Sequence, residues 1–174
     1  MAISGWRGAL AASLMLAGLT ACGGNKGVKT DEEAPRMATV LVMSDPRAAQ
    51  QLLNGFYALE QNQWRWTAAK FSVALRPPAG VDKGATLRVK LTVPAIIIEK
   101  LKSTTLTARI GATALAPATY SQPGEYVYAR EVPAAALTGQ SVRVDFTLDH
   151  AIPPGSVDQR ELGVVVSMVG LEAR

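Results

Sequence analysis

The chain has 174 residues, a formal net charge of +4, 48% hydrophobic and only 6% aromatic residues. That length normally makes one domain with a real core, and the thinly spread positive excess lacks the Lys and Arg clusters of a dedicated nucleic-acid binder. The only cysteine is Cys22, which excludes an intramolecular disulfide and leaves packing to hold the fold.

The first residues are a basic start (the Met1 amine and Arg7), an uncharged apolar run over residues 8–19, and then small residues. This is the layout of a secretory signal peptide, and the run is too short to span a bilayer as a helix. At its end, Leu19-Thr20-Ala21-Cys22 resembles the lipobox of bacterial lipoproteins. The resemblance implies cleavage before Cys22, with a diacylglyceryl group on its sulfur and an acyl chain on the new amine. Residues 1–21 are then the signal peptide, and losing Arg7 lowers the net charge to +3. The following residue, Gly23, lacks the Asp that usually retains such proteins in the inner membrane. The expected location is the cell envelope, at the outer membrane facing the periplasm if the cell is Gram-negative, with the membrane held through the N-terminal lipid.

Residues 22–36 are rich in Gly and charge with little to bury, which predicts a flexible tether. Residues 37–174 are expected to form a single domain. Residues 37–43 are apolar with Val40 and Val42, and suit either an edge strand or the approach to the domain. Ser44-Asp45-Pro46 carries a helix-start signal, predicting one or two helical turns over 48–53 that Gly55 ends in a left-handed conformation.

From Trp64 onward the pattern changes to alternation with period two. Val142, Val144, Phe146 and Leu148 share one face, as do Leu87, Val89, Leu91 and Val93. Phe71, Val73 and Leu75, then Leu106, Ala108 and Ile110, predict two more half-buried strands. Val164, Val165 and Val166 are apolar on both faces, which predicts a central strand running to about Leu171. Pro77-Pro78-Ala79-Gly80, Gln122-Pro123-Gly124, Thr138-Gly139 and Pro153-Pro154-Gly155 punctuate these segments as turns. Residues 94–102 and 133–137 each begin with Pro and read as short helical crossings, although Ile96-Ile97-Ile98 favours strand by propensity. The expected fold is all-β: an antiparallel β-sandwich, jelly-roll or immunoglobulin-like, with one or two short helices.

Aromatic residues cluster unevenly. Trp64 and Trp66 share a face if their segment is extended, as do Tyr126 and Tyr128. Such pairs either fill the core or stack against sugar rings whose hydroxyls meet polar neighbours such as Glu60, Arg65 or Glu125. Tyr57, Glu60 and Trp64, beside turn residues, are the candidate glycan contacts, whereas Arg65, Trp66, Asp158 and Arg160 read as structural. Asp158 and Glu161 resemble a glycosidase pair only in being two carboxylates, with no partner of raised pKa in the pattern. Arg160 is expected to pin that loop by charge-assisted hydrogen bonds. His150, the only histidine, has no metal-ligand spacing and no nucleophile elbow to serve. The glycines match neither phosphate-cradling nor dinucleotide fingerprints, so no cofactor and no metal are expected.

Gly55-Phe56-Tyr57, Glu60, Arg65-Trp66-Thr67, Thr105-Leu106-Thr107-Ala108 and Asp158-x-Arg160-Glu161-Leu162-Gly163-Val164 together resemble a bacterial β-sandwich module. It occurs as a separate lipoprotein or beside glycosyltransferase and methyltransferase domains of surface-polysaccharide systems. The resemblance implies a β-sandwich over residues 53–171 and a carbohydrate setting; Ala112-Thr113 departs from it where an Asn-Gly turn is expected. The expectation is a non-enzymatic lipoprotein that binds or organises envelope polysaccharide. The alternatives are an adaptor gripping an envelope protein partner and, third, a hydrolase.

Overall fold

A computed structural model describes residues 37–174; the lipobox, Cys22 and the tether over 22–36 lie outside them. Nine strands carry the fold: β1 (Val40–Val42), β2 (Leu52–Glu60), β3 (Trp64–Leu75), β4 (Ala85–Val93), β5 (Thr104–Ile110), β6 (Thr113–Tyr120), β7 (Gly124–Val132), β8 (Val142–Leu148) and β9 (Val165–Ala173). Every pairing is antiparallel. The hydrogen-bonded order is β6-β5-β8-β3-β9-β4-β7, with β2 added on β3 and β1 on β9.

The alternation seen in the sequence becomes the core. Val142, Val144, Phe146 and Leu148 of β8, and Ala85, Leu87, Val89, Leu91 and Val93 of β4, all turn inward and are buried. Phe71 lies in the middle, stacked on Phe146 with ring centroids 4.8 Å apart and met edge-on by Phe56 at 5.3 Å. Each such fully buried side chain contributes about 1.5–3 kcal/mol. β9 is central as its valine run predicts, with β4 along one side and β3 and β1 along the other.

The strand β3 makes the sandwich by changing sheets. Its end pairs with β8 over residues 70–75, whereas its start meets β9 only through Arg65 opposite Val166 and Trp66 opposite Val165. Between these stretches Thr67, wholly buried, takes over the bonding. Its hydroxyl accepts from the Val164 N–H at 3.2 Å and donates to the Val164 carbonyl at 3.1 Å. The Gly163 N–H reaches the Thr67 carbonyl at 2.7 Å, and a Cβ on Gly163 would lie 2.8 Å from the Thr67 hydroxyl.

The two ends of the ladder, β6 and β7, close through side chains. A register shift in β6 beside Pro117, which has no N–H to give, leaves carbonyls off the ladder. The Tyr128 hydroxyl and Arg130 Nε both donate to the Ala116 carbonyl, at 2.9 and 2.8 Å, and Arg130 Nη2 donates to that of Pro117 at 2.8 Å.

Both proline-led crossings are helical. α1 (Ala95–Leu101) buries Ile97 and packs Ile98 and Leu101 on the core beside β5, so the need to cover the core overrides the strand propensity of three isoleucines. A short 3-10 turn spans Ala134–Ala136. The segment after Asp45 is a correction. Asp45 does cap a turn, accepting from the Arg47 N–H at 2.9 Å, but the turn is a 3-10 helix (Pro46–Gln51) and Leu52 and Leu53 already belong to β2. Gly55 does have positive φ, +72°, yet it sits inside β2 rather than ending a helix. A Cβ there would lie 2.0 Å from the Lys70 carbonyl oxygen, so close passage against β3 is what requires glycine. The tight turn between β5 and β6 is Gly111-Ala112, with Gly111 at φ +57°, one residue before the pair noted in the sequence.

Candidate functional site

The hairpin β2–β3 turns through Gln61-Asn62-Gln63, where Gln61 and Asn62 hold φ of 48° and 55° and the Gln63 N–H bonds the Glu60 carbonyl at 3.0 Å. This puts Glu60 opposite Trp64 across the hairpin. The hairpin tip forms one wall of a groove of about 1050 Å³ over the outer face of β1, β9, β4 and β7. The floor follows from register. Trp66, Val165, Thr92 and Glu125 make one transverse row, and Val42, Met168, Lys90 and Val127 make the next. Val42 and Val127, on the flanking strands β1 and β7, are 46% and 52% exposed.

Of the residues singled out in the sequence, Trp64, Glu60 and Trp66 line this groove, and Tyr57 does not. Trp66 has two roles, since it also packs against the core, and Trp64 is not part of that packing. Tyr57 is capped by Arg160, whose guanidinium carbon lies 5.3 Å from the ring centroid. The tyrosine is therefore a support for the arginine, a cation on an aromatic face.

Arg160 joins the hairpin to the loop before β9. Its Nη1 donates to Glu60 Oε1 at 2.7 Å, its Nη2 to Asp158 Oδ2 at 2.8 Å and its Nε to Asp158 Oδ1 at 3.0 Å. The Arg160 side chain, and then its backbone N–H, hold the Asp158 carboxyl below the usual carboxylate value. The hydrogen bonds to Asp158 and then to Glu60 raise the guanidinium further. The Arg160–Glu60 bond holds the Glu60 carboxyl at the mouth of the groove. Glu161 is committed elsewhere, accepting from the Ala69 N–H at 2.8 Å where β3 changes sheets. Arg65 Nη1 donates to the Tyr57 carbonyl at 2.9 Å, while its buried Nε has no partner among the described residues.

Asp158 thus serves Arg160, and Glu161 a backbone N–H. A general acid at neutral pH needs a raised pKa, and Asp158 moves the other way. His150 is exposed, with Nδ1 3.2 Å from Asp149 Oδ1. Among the described residues no group of three or more His, Cys, Asp or Glu is placed to hold a metal. Tyr126 and Tyr128 do share a face of β7, the inner one; Tyr128 is buried and Tyr126 reaches the edge of the groove, its ring 4.6 Å from that of Tyr120.

No protein-family model and no curated protein matches this chain. Among solved structures it is similar to carbohydrate-binding modules with a β-sandwich fold. One is TmCBM27, described for specific mannan recognition, at 12% identity over 79% of this chain and 97% of that one, TM-score 0.48. Another is CsCBM6-3 from Clostridium stercorarium in complex with cellobiose, at 9% identity over 81% and 91% of the two chains, TM-score 0.38. A third is the family GH115 glucuronidase BtGH115A, at 11% identity and TM-score 0.46, where the match covers 79% of this chain and 18% of that one.

Sequence reasoning missed Lys90, Val127, Met168 and Val42 as groove residues. The one local signal was Val127, an apolar residue on the outward face between two inward tyrosines; the rest depends on which strands lie side by side.

Proposed function

We propose that this protein is a non-enzymatic, lipid-anchored component of a bacterial cell envelope whose groove binds glycan. The observation that carries the reading is the groove lining: the Trp64 and Trp66 rings and apolar side chains lie beside Thr92, Ser167, Gln63, Glu60 and Glu125. Apolar faces for sugar C–H surfaces beside a few convergent polar groups are what such a ligand needs. Residues 1–36 enter through the lipobox resemblance, with Cys22 as the lipid-bearing residue.

The test uses the full chain in mild detergent and envelope polysaccharide from the parent cell, read by calorimetry. Trp64→Ala is expected to weaken binding at least tenfold, about 1.4 kcal/mol, while keeping a cooperative melt. Tyr57→Ala tests the earlier candidate; with Arg160 covering its ring, it is expected to leave glycan affinity within about twofold. Binding unaffected by Trp64→Ala removes the groove from the reading. Lipidation is checked separately: Cys22→Ser should abolish lipid labelling and move the protein out of the membrane fraction, because one chain alone anchors only marginally and each buried CH₂ adds about 0.8 kcal/mol.

The adaptor alternative has its own support. Val40, Val42 and Val127 are all more than a third exposed on this same side of the molecule, and such a strip also suits a protein surface. A wild-type chain that binds no envelope polysaccharide but retains a single envelope protein after crosslinking at Val127 favours that alternative.

A further inference from the structure

The outer face of β4 presents Arg88, Lys90 and Thr92 in succession, and the two cations are treated differently. Arg88 is paired, its Nε 3.0 Å from Glu172 Oε2. Lys90, two residues on, is exposed in the groove floor, and its register neighbours are Met168 of β9 and Val127 of β7. Neither neighbour offers a charge or an oxygen acceptor on its side chain. Among the described residues no carboxylate is within ion-pair reach of Lys90, and no other Lys or Arg lines the groove.

The acids of the groove are placed away from that charge. Glu60, at the hairpin wall, is already bonded to Arg160 at 2.7 Å. Glu125 lies opposite Thr92, one register row from Lys90, which puts the two side-chain origins roughly 8 Å apart by strand spacing and rise. Trp66 is further off, about 12 Å from Lys90 on the same reckoning. A ligand spanning the groove thus meets aromatic rings and hydroxyl-binding groups at the Trp66–Thr92–Glu125 row, and a lone ammonium set among apolar side chains at the next row. An unpaired, strongly hydrated point charge in a ligand groove is complementary to an anion.

We infer that the glycan bound here is acidic, carrying a carboxylate or phosphate substituent that seats on Lys90 while neutral sugar rings lie against the tryptophan wall. This inference rests on the glycan-binding reading above and names the class of glycan. Lys90 gives no preference for one oxyanion over the other, since lysine acts as a charge without the fork geometry of arginine.

The experiment measures binding of the full-length chain to envelope polysaccharide of the parent cell in three forms: untreated, with carboxyl groups reduced to alcohols through carbodiimide activation, and with phosphate removed by cold hydrofluoric acid. Loss of about three- to tenfold in affinity after one of the two treatments is expected, and the treatment that causes it names the anion. Lys90→Met, which keeps the apolar stem, should lose the same factor toward untreated polysaccharide and nothing toward the neutralised one. Lys90→Arg should retain the preference. The preference should also shrink as salt is raised, because the site is open to solvent. Equal binding of all three forms, or a preference that survives Lys90→Met, overturns the acidic class and leaves the glycan reading standing. No binding of any form by the parent chain overturns both.

Discussion

The two outer faces of this sandwich are built from the same kind of alternating strand and end up chemically opposite. On the face of β5, β8 and β3, polar side chains satisfy one another. The Thr105 and Thr119 hydroxyls are 3.0 Å apart, Thr107 donates to the Thr147 carbonyl at 3.1 Å, Arg143 pairs with Asp145 and Ser72 bonds Asn54. On the face of β1, β9, β4 and β7, valines, a methionine and a lysine line an open groove together with two tryptophans. The contrast teaches where to look for function. A sheet face that has spent its polar groups on itself needs nothing further, whereas an apolar groove left open to water carries an unfavourable free energy that a ligand relieves.

The first way to break this comparison is to test that both faces share one interior. Val144 is wholly buried under the polar face, and Arg143 beside it points outward. Val144→Asp places an unpaired charge in the core and should cost about 4 kcal/mol or more, enough to unfold the chain. Arg143→Asp should change the melting free energy by no more than about 1 kcal/mol, through loss of an exposed pair and a like charge beside Asp145. Similar thermal denaturation curves for the two variants would refute the assigned faces. Gly55→Ala comes next. Left-handed backbone and a Cβ driven into the Lys70 carbonyl together should cost about 3 kcal/mol, seen as a lower midpoint in urea. An unchanged midpoint would mean that β2 does not run so close to β3.

The tryptophans sharpen the comparison within the groove. Trp66 packs on the core and Trp64 does not, so Trp66→Ala should lose about 2 kcal/mol of stability and Trp64→Ala less than about 1. Chemical denaturation that ranks them in the reverse order would reassign which ring is anchored. The smallest effect is expected at the loop that holds the hairpin. Asp158 has its carboxyl pKa lowered in the folded state by Arg160, so the stability this pair contributes is fully present above pH ~4 and is lost as pH falls through the lowered value. Arg160→Met should therefore lower the melting temperature slightly at neutral pH, leave it unchanged at the acid end and so flatten its decline below pH ~4; an acid limb of unaltered slope would show that the pair contributes nothing.

The sequence by itself determined the class of fold, because period-two alternation over 85–93 and 142–148 is a property of each strand alone and survives any arrangement of neighbours. It also determined that the proline-led segments cross between strands as short helices, and that the valine run ahead of Leu171 lies in the middle of the sheet. Local signals found the capped turn after Asp45 but failed at residues 52–55, where they carried the helix on to Leu53 and ended it at a left-handed glycine. The tertiary structure decided otherwise, because the edge of β3 offers that segment a ladder of backbone partners that a single helical turn cannot match, and only glycine can pass the Lys70 carbonyl. The candidate site divides in the same way. Trp64 and Glu60 were legible because one hairpin carries both, whereas Trp66, read as structural, packs on the core and lines the groove as well. Val42, Lys90, Val127 and Met168 come from four strands far apart in the chain and meet only through register, and Tyr57 was withdrawn from the site by an arginine from a distant loop. Side-chain direction is fixed residue by residue along a strand, but which strands share a row is fixed by long-range pairing and burial of the whole core, and that choice made both the groove and the unpaired lysine in its floor.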